Sequence, residues 1–161
     1  MLGLFFLFSI LLASPVQAQT EGGLNLITSP LPISLTTEPG TSISTDLKIK
    51  NGGLQDEELK ITLMKFRAYE ESGKPQLMER EDGDTFFDWV HFSEPTFTLA
   101  PNEWKTVTAT FDIPQEASFG YYYAFVFSRA EEEKPQEERQ TALVGGTAVL
   151  VLLETRVPEA K

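Results

Sequence analysis

The sequence contains no cysteine and only one histidine, His91. The first absence excludes disulfide staples, thiolate metal sites, cysteine nucleophiles and a lipidated cysteine. The second confines histidine-dependent catalysis or zinc binding to one ring, in an aromatic segment with no G-x-S-x-G elbow. His91 therefore reads as a half-buried structural side chain. Positive charge is scarce as well: 13 Lys and Arg face 24 Asp and Glu, for a net charge of −11. The basic clusters that nucleic-acid phosphates require are missing, and the same balance disfavours docking on anionic lipid. An acidic excess of this kind serves solubility. No stretch holds a 3.6-residue apolar period, no internal repeat is present, and no cofactor is implied.

One long apolar run exists, at the N-terminus. Leu2 to Ala13 has the length of a secretory h-region and is short for a spanning helix. Ser14-Pro15 breaks the run, and Val16-Gln17-Ala18 places small residues where a signal peptidase cuts. Residues 1–18 are expected to be a signal peptide cleaved after Ala18, although no Lys or Arg precedes the run. The alternative is an uncleaved anchor, the one route by which this chain would meet a membrane. Either way the remainder is extracytoplasmic, and a cysteine-free secreted domain relies on its packed interior. Hydrophobic residues at 41% and 12 phenylalanines supply one.

The most informative stretch runs from Trp104 to Arg129. Val107, Ala109, Phe111 and Ile113 alternate with Thr106, Thr108, Thr110 and Asp112, the period of a half-buried strand. Pro114 stops that strand, having no N–H for a ladder. Gly120 opens a second one, apolar on both faces. Tyr121, Tyr123, Phe125 and Phe127 share one side, and Tyr122, Ala124 and Val126 share the other. Thr147 to Arg156 is again apolar on both faces. A double-faced strand in an antiparallel protein has to cover a surface that is usually wet.

Upstream, residues 19–30 read as a flexible, polar lead-in. Ile33 to Thr36 reads as a strand closed by Glu38-Pro39-Gly40, and Thr41 to Asn51 as an amphipathic strand. From Glu58 to Tyr69 the apolar phase slips. Leu59, Ile61 and Leu63 share a face before Met64, Phe66 and Ala68 take the opposite one, as a bulge or a move between sheets would cause. Glu71 to Pro75 reads as a turn, Glu79 to Asp84 as an acidic loop, and Phe97 and Leu99 as part of a further strand. Glu131 to Arg139 reads as the charged tip of a hairpin. About seven short strands separated by Pro, Gly and Asn turns predict an all-β, immunoglobulin-like antiparallel sandwich over residues 31–155, with a C-terminal tail at 156–161. Gly120-Tyr121-Tyr122-Tyr123-Ala124 is similar to the tyrosine corner of such domains, with Tyr122 as the corner and Ala124 in place of the cysteine.

Three features in order carry a family likeness. Pro39-Gly40 leads into an alternating strand ending at Asn51, LAPNEWKTVTATFDIP precedes Gly120 and the aromatic strand, and Gly145-Gly146 precedes the last strand. Together they resemble the Ig-like domain of bacterial WxL-interacting cell-surface proteins and, more distantly, the N-terminal domain of periplasmic pilus chaperones. The resemblance implies a non-enzymatic module that acts by protein–protein contact, and it transfers no binding residue.

The expected function is therefore interaction or assembly at the bacterial cell surface, with another cell-surface or secreted protein as partner. The candidate binding residues are Tyr121, Tyr123, Phe125 and Phe127, read as an outer aromatic face. The alternative is a carbohydrate or cell-wall glycan module in which Tyr121, Tyr123 or Trp89 stacks on sugar. Glu79, Glu81, Asp82, Asp84 and Asp88 cluster around Gly83, and Asp82, Asp84 and Asp88 are candidate oxygen ligands for calcium. Their spacing fits no EF-hand loop. No catalytic residue is expected.

Overall fold

The computed structural model describes residues 23–69, 73–130 and 146–156. The expected signal segment, the charged tip Glu131 to Arg139 and residues 157–161 lie outside the described residues. Among the described residues ten strands form two facing sheets: β1 Leu26–Ser29, β2 Ile33–Thr37, β3 Ser42–Asn51, β4 Glu57–Ala68, β5 Pro75–Met78, β6 Val90–Phe92, β7 Thr96–Leu99, β8 Trp104–Asp112, β9 Phe119–Arg129 and β10 Thr147–Thr155. A 3-10 turn at Thr85–Trp89 leads into β6. The smaller sheet has the order β1-β3-β8-β6. The larger runs β2-β10-β9-β4-β5, and β7 also pairs with β4. All pairings are antiparallel except β2 with β10.

The architecture is the expected Ig-like sandwich. The lead-in is more ordered than expected, because Leu26–Ser29 pairs with Lys48–Asn51 of β3. Pro30 and Pro32 separate β1 from β2. Lacking N–H groups, they end one ladder, and the chain then crosses to the other sheet. The polarity of Gln76 and the neighbouring Pro75 hid the short strand β5.

The core lies between the sheets. Leu47, Ile49, Val107, Ala109 and Phe111 of the smaller sheet meet Leu59, Tyr123, Phe125, Phe127, Val149, Val151 and Leu153 of the larger. Each fully buried side chain of this size contributes about 1.5–3 kcal/mol. Tyr123, Phe125 and Phe111 interlock, with centroid distances of 5.5 and 6.1 Å from the Phe111 ring, and Phe92 meets Phe125 edge-on at 4.9 Å. One polar side chain is fully buried at the edge of this core. Asn51 Nδ2 donates to the Leu99 and Gln55 carbonyls at 3.0 and 2.7 Å, and its Oδ1 accepts from the Gly53 N–H at 2.8 Å. It pins the end of β3 to β7 in the opposite sheet.

The phase slip in β4 has a different cause from the one expected. β4 pairs with β9 from Leu59–Arg129 to Lys65–Tyr123 in unbroken register, without a bulge. Leu59, Ile61 and Leu63 face the core throughout. The apolar residues that follow, Met64 and Phe66, lie on the opposite face, while the next inward position is taken by Lys65. Two faces of one regular strand carry the pattern.

Candidate functional site

The double-faced character of β9 and β10 is present, with the faces reversed relative to the expected site. Tyr123, Phe125 and Phe127 are fully buried in the core, so they cannot form an outer aromatic face. Tyr121 is half-buried among Trp89 and Phe86, with centroids 4.7 and 5.6 Å away. The Tyr123 hydroxyl donates to the Phe86 carbonyl at 3.0 Å, and burial raises its pKa far above the usual phenol value. The sugar-stacking set Tyr121, Tyr123 and Trp89 is therefore packed into the domain. The sequence signal was symmetric between the faces. Only the larger rings, which fill the space between sheets, could have identified the inner one.

The outward side of the larger sheet holds the other residues. Across the ladders Leu152 pairs with Tyr122, Leu150 with Ala124 and Ala148 with Val126, while Met64 and Thr62 flank Ala124 and Val126 from β4. Phe66 meets Tyr122 edge-on at 5.5 Å, and Leu77 of β5 pairs with Phe66. Tyr122 is 50% exposed and Leu152 38%. Ala124 and Val126 are buried by these taller neighbours, yet stand outside the core cluster. From Lys60 at one end to Glu154 at the other, no charged side chain occupies this face on β4, β9 or β10. A sheet face left to water ordinarily carries polar side chains.

The adjoining edge belongs to β2, Ile33-Ser34-Leu35-Thr36-Thr37. It carries no charge or proline and is the outermost strand of its sheet. Such an edge lacks the usual devices that block strand addition.

Where β9 begins, the face ends in a cleft of about 560 Å³ whose lining includes Ser34, Ser118, Phe119, Tyr122, Leu152 and Glu154. Gly120 lies in the same lining, opposite Glu154 in the ladder. Phe119 has φ 70° and is 83% exposed. Its carbonyl accepts from the Thr155 hydroxyl at 2.9 Å, and the Ser118 N–H donates to the Tyr121 hydroxyl at 3.1 Å. The local corner-like bond is thus made by Tyr121; Tyr122 and Ala124 point away from the core.

The remaining candidates are otherwise engaged. His91 is exposed rather than half-buried, with Nε2 3.4 Å from Asp112 Oδ2. Ser42 donates to the other oxygen of the same carboxylate. Serine and histidine therefore flank an aspartate, whereas nucleophilic catalysis needs the imidazole between serine and aspartate. The proposed calcium ligands do not converge. Asp84 accepts from Lys65 Nζ at 2.7 Å and from the Glu81 N–H at 2.8 Å, and Glu81 also meets Lys65 at 2.9 Å. Asp88 makes a two-pronged bond to Arg80 at 2.6 and 2.7 Å. Lys65 chiefly holds the Asp84 carboxyl below its usual value, and Arg80 does so for Asp88. Glu81, Asp84 and Asp88 are thus paired with cations of the chain itself, and no bond of Asp82 joins them. Among the described residues no group of three or more His, Asp or Glu is placed to hold a metal.

No protein-family model and no curated protein sequence matches the chain. Solved structures do match in fold. A PapD-like domain of human CEP192 aligns over 94% of this chain and 99% of its own, at 15% identity and TM-score 0.52. The class 5 fimbriae chaperone CfaA aligns over 82% of this chain at 14% identity and TM-score 0.53. The CsuC–CsuE chaperone–tip adhesion subunit complex of Acinetobacter baumannii aligns over 82% at 11% identity and TM-score 0.52. This chain spans 57% and 52% of the two pilus-system chains. The fold is that of PapD-like, immunoglobulin-type sandwiches.

Proposed function

We propose that this protein is a non-catalytic, extracytoplasmic assembly module that binds another cell-surface or secreted protein through the outward face of the larger sheet and its β2 edge. The observation that carries this reading is the apolar field of Met64, Phe66, Tyr122, Ala124, Val126, Leu150 and Leu152, uninterrupted by charge. Burying its exposed part at about 25 cal/mol per Å² yields a few kcal/mol toward association, before ordering costs. The uncharged β2 edge adds main-chain hydrogen bonds to any partner that supplies a strand. A PapD-like fold seen in chaperone–adhesion subunit assembly supports a protein as the partner class. The N-terminal signal pattern supports a location outside the cytoplasm. The likeness to WxL-interacting proteins supports the bacterial cell surface as the place of work.

The test is light scattering of the mature chain followed by capture from the producing cell's envelope, with wild type and Leu152→Lys side by side. A partner retained by wild type and lost by the variant supports the proposal. A monomer that captures nothing, or equal capture by both chains, contradicts it.

A further inference from the structure

The cleft at the start of β9 has a chemistry that the apolar field beside it lacks. Phe119 presents most of its ring to solvent from a backbone conformation that bulky residues rarely adopt. Half-exposed Tyr122 lines the same cleft, and Ser34, Ser118 and Glu154 bring two hydroxyls and a carboxylate to it. Its volume of about 560 Å³ lies within the ordinary range for small-ligand sites, about 300–1,000 Å³. Gly120 contributes no side chain to fill it. The Thr155–Phe119 and Ser118–Tyr121 hydrogen bonds fix the backbone that carries the Phe119 ring.

We infer that this cleft binds a neutral hexose of an oligosaccharide, with Phe119 and Tyr122 against the flat C–H face of the sugar and Ser34, Ser118 and Glu154 bonding its hydroxyls. Apolar ring surface next to hydroxyl and carboxylate groups suits a molecule that is apolar on its faces and polar on its rim. The carboxylate is held by Arg156, whose Nε and Nη2 lie 3.1 and 3.4 Å from its two oxygens, so a charged pair borders the cleft. Charge narrows the class further. The Glu154–Arg156 pair is neutral as a unit, so it is the net charge of −11 on the whole chain that disfavours uronic and sulfated sugars. The cleft shares Tyr122, Leu152 and Ser34 with the proposed docking face and its edge, whereas Phe119 lies beyond that face, so a change at Phe119 tests the sugar site and leaves the docking residues in place.

The probes are cellotetraose, chitotetraose and tetragalacturonate, titrated into the folded chain and followed by NMR. A neutral tetramer is expected to saturate with a Kd of about 0.1–1 mM and to shift the Phe119 and Tyr122 ring signals. Phe119→Gly removes the ring while placing at φ 70° the residue that accepts it best, so the fold persists. That variant is expected to bind about tenfold more weakly, a loss consistent with one aromatic contact. Trp104→Ala, on the other sheet, leaves binding unchanged. The inference is overturned if neither neutral tetramer saturates, if Phe119→Gly binds as wild type does, or if tetragalacturonate binds best.

Discussion

The ring of Tyr122 stands edge-on to that of Phe66, centroids 5.5 Å apart and planes at 73°, on the side of the larger sheet that faces away from the core. This pair lies outside the sandwich, yet it has the geometry of a core contact. Cross-strand pairs of this kind add a little to sheet stability, but a sheet face left to water ordinarily carries polar side chains. The pair therefore separates two kinds of residue on β9, those that fill the core and those that face away from it.

The first expectation follows from that separation. Tyr122→Ser loses one edge contact and some half-exposed area, which costs about 1 kcal/mol. Phe125→Ala removes a fully buried ring that touches Phe92 and Phe111, which costs about 3–5 kcal/mol. Urea melts of the two variants should differ accordingly, with the second near the limit of a marginally stable domain. Equal midpoints would contradict the placement of the two faces.

Asn51 offers a second check, on the link between the sheets. Asn51→Leu leaves the Leu99 carbonyl and the Gly53 N–H without their side-chain partners in a fully buried setting. The expected cost is about 2–3 kcal/mol, several times that of an exposed polar substitution such as Ser44→Ala. Thermal unfolding of both variants measures it.

A third expectation concerns acid. Asp84 and Asp88 have folded-state pKa values below their ordinary 3.8. The stability they add is complete above 3.8 and is lost as pH falls through the lowered values. Trp89 closes the 3-10 turn that contains Asp88 and packs on Tyr121, so its fluorescence should change below pH 3.8. In the double variant Asp84→Asn, Asp88→Asn that acid step should flatten. An unchanged step would assign the acid response to other carboxylates.

The fold was legible because alternation and turn chemistry agree along most of the chain. Val107 to Ile113 alternates cleanly, Asn51-Gly52-Gly53 ends its strand, and both features sit where the structure has them. What alternation cannot report is which of two apolar faces is the inner one. Tyr123 and Tyr122 are the same residue type one position apart, and only Phe111 of the opposite sheet and Phe86 of the 3-10 turn make the first a core residue. The slip in β4 misled for the same reason. An inward lysine paired to Asp84 and Glu81 and an outward Phe66 look in sequence like a register change. The exposure of Phe119 was invisible in sequence because it depends on a backbone conformation that no residue type announces. The acidic loop misled because carboxylates count as potential ligands until Lys65 and Arg80 are placed beside them.

The most direct test of the docking face is photo-crosslinking with p-benzoylphenylalanine in the producing cell's envelope, placed at position 122 and, for comparison, at position 104 on the smaller sheet. A discrete protein adduct from position 122 and none from position 104 is the predicted result. No adduct from position 122, or the same adducts from both positions, would contradict an outward face on the larger sheet that docks a protein.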